Sequence, residues 1–378
     1  MKDVKQSAIR GGFAKMCSQG ANFTLRLGSL MILGRLLEPR DFGLVGMVMA
    51  MIGILDLFKD FGLSTAAVQR ADISHEQHST LFWVNILVGS ILASLALGGA
   101  PLVARFYHEP RLVAVTAVLS IAFILNAAGV QHNAHLERQL RFTTLAGIEA
   151  ISLAAGVATA IGMALRGYGY WSLVAMTIVP QFVSMSCLWW SSGWIPGLPR
   201  RGVDLLSMLR FGGTVTLNGL VVYLAYNLEK VLLGRFWGAE ALGIYGRAYQ
   251  LVNIPTANLN SAAGGVAFPA LSRVQHDPPR FKSYFLKGYS LVLAVTLPIT
   301  IACALFADDL IAVILGPKWN GTADIFRLLA PTILIFAMIN PLAWLLMALG
   351  MVGRSLKVAL ALAPIVISGY LMGLSHGP

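Results

Sequence analysis

Long runs of apolar residues, almost uninterrupted by charge, constrain this chain more than any other feature. Leu81 to Ala104, Ile151 to Leu165 and Tyr289 to Phe306 are apolar on all sides. A helix needs roughly 20 mostly apolar residues to cross a bilayer. Inside lipid only helices and closed barrels satisfy their own backbone polar groups, and barrel strands alternate apolar and polar with period two. These runs do not alternate, so the fold expected is an all-α polytopic membrane protein. Charged residues make up 12% of the chain, against about 25% in a soluble domain, too few to cover a water-facing surface.

Polar breaks between the runs predict about 11 transmembrane helices. The first half holds six: residues 13–37, 42–68, 81–104, 111–133, 142–165 and 170–190, with His132 to Arg141 as a polar loop. Ser191 to Ser207 is rich in Gly, Pro, Ser and Arg, the composition of a connector. The second half holds five: residues 209–237, 241–271, 284–306, 323–349 and 356–374. The apolar piece Leu310 to Leu315 is too short to span and is expected at the membrane interface.

The two halves repeat. Leu33-Gly34-Arg35 and Phe42-Gly43-Leu44-Val45-Gly46 return two hundred positions later as Leu233-Gly234-Arg235 and Leu242-Gly243-Ile244-Tyr245-Gly246. Arg10 and Gly12 return in the same register as Arg210 and Gly212. Six spans separate the copies, and an even number makes the repeat parallel, with its axis along the membrane normal. The expected organisation is an N-terminal six-helix lobe over 1–190, a linker over 191–207 and a five-helix C-terminal lobe over 208–378. That second lobe is one helix short of symmetry, so a twelfth helix is expected to be missing.

The net charge is +11, which on a soluble protein would suggest nucleic acid. Here the topology accounts for it. With the N terminus inside, the inner segments hold sixteen Lys and Arg and the outer segments seven. That bias places the N terminus in the cytoplasm, and no nucleic-acid partner is expected. Cys17, Cys187 and Cys303 lie in separate apolar runs and form neither a disulfide framework nor a metal cluster. His75 with His78, and His132 with His135, have helical spacing but lack a third ligand, so no metal is expected, and no cofactor motif is present.

Several motifs carry a family resemblance. They include Gly34-Arg35-Leu36-Leu37-Glu38-Pro39-Arg40-Asp41-Phe42-Gly43, Asp60-Phe61-Gly62-Leu63-Ser64, Asn227-Leu228-Glu229-Lys230, Tyr245-Gly246-Arg247-Ala248-Tyr249-Gln250 and Phe268-Pro269-Ala270-Leu271-Ser272-Arg273. The chain resembles bacterial Wzx-type polysaccharide exporters, in the colanic-acid and succinoglycan branch of the multidrug, oligosaccharidyl-lipid and polysaccharide exporter superfamily. The resemblance implies two six-helix lobes around a cavity that opens to either side in turn. It also implies an inner-membrane flippase for polyprenyl-diphosphate-linked oligosaccharide, serving exopolysaccharide or lipopolysaccharide synthesis alongside polysaccharide polymerase machinery. The alternatives are a cation-coupled multidrug exporter of the same superfamily and, from another class, a membrane polymerase or ligase. Polymerases and ligases carry a large outer loop, and the outer loops here are short.

Charges within spans mark the candidate site, because a charge at the bilayer centre costs about 2.5 to 3.5 kcal/mol on insertion scales. A diphosphate needs cations, and the planar fork of Arg suits phosphate oxygens. Arg26, Lys230 and Arg247 are therefore the expected substrate-binding cations, with Tyr223 and Tyr226 as candidate sugar-stacking rings. The competing reading pairs Arg26 with a carboxylate of its own lobe. Glu229, Glu149, Asp56 and Asp60 are candidate ion-coupling acids, although Asp56 and Lys59 at i,i+3 also suit a local ion pair. Trp189, Trp190 and Trp194 read as an interfacial aromatic belt. No nucleophile with its base is present, so no enzyme chemistry is expected.

Overall fold

The structure is a computed structural model. It describes residues 20–59, 74–199, 205–275 and 277–349, with parts of 361–373. Every element among the described residues is helical. The chain divides into two compact units, Met1–Asn227 and Leu228–Pro378.

The first unit begins with α1 (residues 20–36), a sharp turn and α2 (Pro39–Asp56). Pro39 starts α2 where its missing N–H costs nothing. Asp41 turns back and accepts from the Glu38 amide at 3.1 Å, filling an orphan donor of the helix start. Glu38-Pro39-Arg40-Asp41 is thus a helix-turn signal as well as part of a motif that carries the family resemblance. α2 closes at Asp56, because residues 57–59 turn instead of continuing the helix expected to Val68, and residues 60–68 of that expectation lie outside the described residues.

Four long helices follow: α3 (His75–Tyr107), α4 (Leu112–Arg138), α5 (Phe142–Leu165) and α6 (Trp171–Ser192). α3 lies along α4, α5 along α6, and α4 against α6. Close approach depends on small residues, as usual for helices in lipid. A Cβ at Gly89 would stand 2.6 Å from that of Ala127 and 2.8 Å from the Phe123 carbonyl. The polar loop expected from His132 to Arg141 is instead largely helix: α4 continues to Arg138, because His132 and Gln131 are buried against neighbouring elements and not solvated.

Turns at one end of this unit are tied together by charge. Glu109 accepts from Arg40 at 3.1 Å and forms an ion pair with Arg111 at 3.2 Å, joining the α1–α2 turn to the α3–α4 turn. At the other end the chain leaves α6 through Gly193 and runs extended to Pro199. Trp194 is only 9% exposed. Its indole donates to His75 Nδ1 at 3.2 Å and lies 4.4 Å from the His78 ring, 5.0 Å from His132 and 6.0 Å from His135. Trp194 is therefore an anchor for the connector and not part of a belt, whereas Trp190, 91% exposed, faces outward.

A single helical run, Leu205–Arg273, is two helices joined at Gly238, whose φ of 81° and ψ of −175° only glycine adopts readily. We name the arms α7 (residues 205–237) and α8 (239–273). The second unit continues with α9 (Pro278–Leu305), a short α10 (Ala307–Ile314), a 3₁₀ turn at Pro317–Trp319, α11 (Asn320–Leu329) and α12 (Pro331–Ala348). The expected span 323–349 is thus broken, with α11 and α12 meeting at 42°. Pro331 causes the break: it has no N–H to donate and its ring clashes with the preceding turn. α10 is short as expected and buries Ala307 and Ile311, while the following turn buries Trp319 completely.

Among the described residues, five helices are long and apolar enough to cross a membrane, six if the bent pair counts as one span, against about eleven expected. α2 contains Arg40, Asp41 and Asp56, while α7 and α8 contain Glu229, Lys230, Arg235 and Arg247. The long helices turn apolar side chains such as Leu87, Ile91, Leu95 and Leu102 outward. A surface of that kind belongs in lipid, and the protein is a multi-pass membrane protein.

Candidate functional site

In the first unit an open cavity of about 610 Å³ lies among α1, α4, α5 and α6. Helical spacing explains how its polar lining assembles. Asn126, Asn133 and Glu137 fall at i, i+7 and i+11 on α4, and Glu149 and Ser152 at i and i+3 on α5, so each set projects from one face. α1 adds Arg26, and α6 adds Gln181 and Ser184.

Arg26 and Glu149, singled out separately in the sequence, line this one cavity. Both are exposed. Among the described residues Arg26 makes no salt bridge; its main-chain oxygen accepts from Ser29 at 2.8 Å. Asn133 donates to Glu137 at 2.9 Å and holds that carboxylate in place. Gln181 Oε1 and Ser152 Oγ are buried without a hydrogen bond among the described residues.

Sequence reasoning missed Glu137, Asn133, Asn126 and Gln181. Glu137 was assigned to a loop that is helix. The amides carry no charge to attract notice, although the heptad step from Asn126 to Asn133 was visible.

Asp56 and Lys59 form the local pair their spacing suggests, at 3.5 Å. Tyr223, on α7, donates to the Ala50 carbonyl of α2 at 3.1 Å. It crosses α2 at Gly53, where an added Cβ would overlap the phenol. Asp60 lies outside the described residues, as does the side chain of Tyr226.

In the second unit a charged and aromatic cluster joins α7 to α8. Lys230 lies 3.9 Å from Glu229 and sits over the Tyr249 ring at 4.8 Å from its centre. Tyr249 stacks with Tyr245 at 6.0 Å. Glu229 is 5% exposed, and its Oε2 has no hydrogen bond among the described residues. Arg247, half-buried, occupies the same stretch of α8. Further along, Arg327 is held between Asp308 and Asp324. Among the described residues no group of three or more His, Cys, Asp or Glu is placed to hold a metal ion.

The chain is similar to proteins of envelope polysaccharide synthesis. It is 28% identical over 360 residues to the lipopolysaccharide biosynthesis protein WzxC of Escherichia coli (strain K12), covering 92% of this chain and 72% of WzxC. It is 31% identical over 296 residues to the teichuronic acid biosynthesis protein TuaB of Bacillus subtilis (strain 168), covering 77% of this chain and 61% of TuaB. The fold is that of the lipid II flippase MurJ in an inward closed conformation, with a TM-score of 0.77 and 13% identity, over 98% of this chain and 82% of MurJ. An inward-facing multidrug transporter of the MATE family, in the MOP superfamily, shares it with a TM-score of 0.68 and 13% identity, over 93% of this chain and 86% of that one. Residues 32–324 match the family model described as polysaccharide biosynthesis protein. The chain belongs to that polysaccharide biosynthesis protein family.

Proposed function

We propose that this protein flips a polyprenyl-diphosphate-linked oligosaccharide from the inner to the outer leaflet of the bacterial inner membrane. Two lobes, residues 1–190 and 208–378, give access to each side in turn around the linker 191–207, with the N terminus in the cytoplasm. The flipped unit is handed to polysaccharide polymerase machinery. The observation that carries this reading is an open cavity of about 610 Å³ in the first unit, where Arg26 stands among mixed polar and apolar side chains. A volume of this size suits a ligand, and an arginine fork suits phosphate oxygens. The names of the relatives, which place them in polysaccharide biosynthesis, point the same way.

Arg26, Lys230 and Arg247 serve as the cations for the diphosphate. Tyr223 and Tyr226 offer ring faces to sugars, the Tyr223 hydroxyl being committed to Ala50. Among the acids, Glu229 and Glu149 are the better candidates for coupling to an ion gradient, because Asp56 is engaged with Lys59 and Asp60 stands four residues further on.

Flipping in proteoliposomes tests the proposal. The probe is a fluorescent polyprenyl-diphosphate disaccharide under a proton or sodium gradient. Wild type flips it, and Arg26→Ala at equal protein level loses at least about tenfold of the rate, the scale of a lost charge-assisted pair. Efflux of a cationic dye with no flipping would make the protein a drug exporter instead.

A further inference from the structure

The cavity of the first unit contains too many acceptors for a diphosphate alone. Phosphate oxygens accept hydrogen bonds, so they need donors. Among the described residues lining the cavity, Arg26 is the one cation, against two carboxylates, Glu137 and Glu149. Gln181 Oε1 and Ser152 Oγ, the latter residue 4% exposed, are also left without hydrogen bonds there. A buried polar group without a partner is costly. Glu137 and Glu149 line the open space, and a ligand that meets their carboxylates must bring donors of its own.

An inorganic cation is a poor fit. Hard cations take six to eight oxygens at about 2.3–2.6 Å, which requires ligands converging on a point. Here the acceptors are spread over α4, α5 and α6 around about 610 Å³, and no three-acid cluster occurs among the described residues. Sugar hydroxyls fit better. Each supplies one donor and accepts in return, so several together match carboxylates alternating with amides.

We propose that this cavity is a saccharide subsite selective for neutral sugars, with Glu137 and Glu149 accepting from sugar hydroxyls and Asn126 and Gln181 bonding to their neighbours. The same two carboxylates repel a sugar that bears its own carboxylate. The inference rests on the flippase reading for its carrier lipid. It moves Glu149 from ion coupling to recognition and leaves Glu229 as the coupling acid.

The test uses the full chain in liposomes and three probes: short-chain polyprenyl diphosphates carrying glucose, glucuronate or no sugar. Wild type binds the glucose probe about tenfold more tightly than the glucuronate probe, the scale of one charge-assisted contact. Glu149→Gln combined with Glu137→Gln brings the ratio close to one by admitting glucuronate. Should that double variant misfold, Gln181→Glu serves in its place and widens the ratio. Equal or tighter glucuronate binding by wild type overturns the subsite, as does a ratio that neither set of variants moves. Failure to bind even the sugarless probe overturns the flippase reading itself, which separates the two failures.

Discussion

Tyr223 donates its hydroxyl to the main-chain oxygen of Ala50 at 3.1 Å, across a notch made by Gly53. The notch and the bond are separable. Tyr223→Phe removes the bond alone and is expected to cost about 0.6 kcal/mol, the average for side-chain hydrogen bonds in membrane helices. Gly53→Leu fills the notch and forces α2 from α7, at about 1–3 kcal/mol for overpacking. Thermal unfolding in detergent should therefore rank Gly53→Leu below Tyr223→Phe. The reverse order would mean that the phenol does not seat on α2.

Glu109 holds Arg40 and Arg111 together. Arg40 and Arg111 are about half exposed, so the gain is small, about 0.2–1 kcal/mol for such pairs. A double-mutant cycle with Arg40→Ala and Glu109→Ala should return a coupling in that range that shrinks as salt is raised. A coupling several times larger would mean that these turns are held in a far drier setting.

Much of this architecture was legible because lipid imposes a simple rule. The runs that became α3, α5, α6 and α9 had to be apolar on their lipid faces, and the composition showed it. The Pro331 break was harder to see, since proline in a membrane helix produces either a bend or an end and neighbouring packing decides which. Arg26 was legible because a cation in an apolar run is conspicuous. Gln181 and Asn126 were not, because their meaning depends on three helices turning them into the same space. Trp194 was misread for a related reason. Near a helix end a Trp suggests a belt, and only the fold shows four histidines from α3 and α4 closing around it.

Trp194 fixes the extended stretch after α6 onto the ends of α3 and α4, aided by Gly197, whose amide donates to Ser79 at 2.9 Å and whose carbonyl accepts from Trp83 at 2.8 Å. Trp194→Ala should cost about 3 kcal/mol, the lower end for an emptied aromatic site. Trp190→Ala, removing an outward ring, should cost far less. Unfolding in detergent compares them directly. Equal effects would remove the anchor role.

Arg26 should act through its shape as well as its charge. Arg26→Lys keeps the cation but loses the planar fork that matches a diphosphate in pairs. Flipping of the fluorescent disaccharide probe should fall in the order wild type, Arg26→Lys, Arg26→Ala, with each step several-fold. If Arg26→Lys matched wild type, the cavity would need only a positive charge, and the diphosphate assignment would lose its geometric basis.

Glu229 and Lys230 lie 3.9 Å apart, and both are substantially withdrawn from solvent. Removing one member of such a pair leaves the other buried and uncompensated, which costs about 3–5 kcal/mol, whereas replacing both with apolar residues is often neutral. Lys230→Met alone should therefore lower the unfolding temperature more than Lys230→Met combined with Glu229→Gln. The two readings of Glu229 then separate in transport. As a packing partner only, Glu229 could be replaced in Glu229→Gln, with Lys230 kept, and gradient-driven flipping would stay near the wild-type rate. As the coupling acid, its loss leaves flipping at the slow rate seen without a gradient, even though the protein is folded. We expect the second outcome, because Glu229 Oε2 has no hydrogen bond among the described residues. A carboxylate committed to structure alone would normally have both oxygens satisfied.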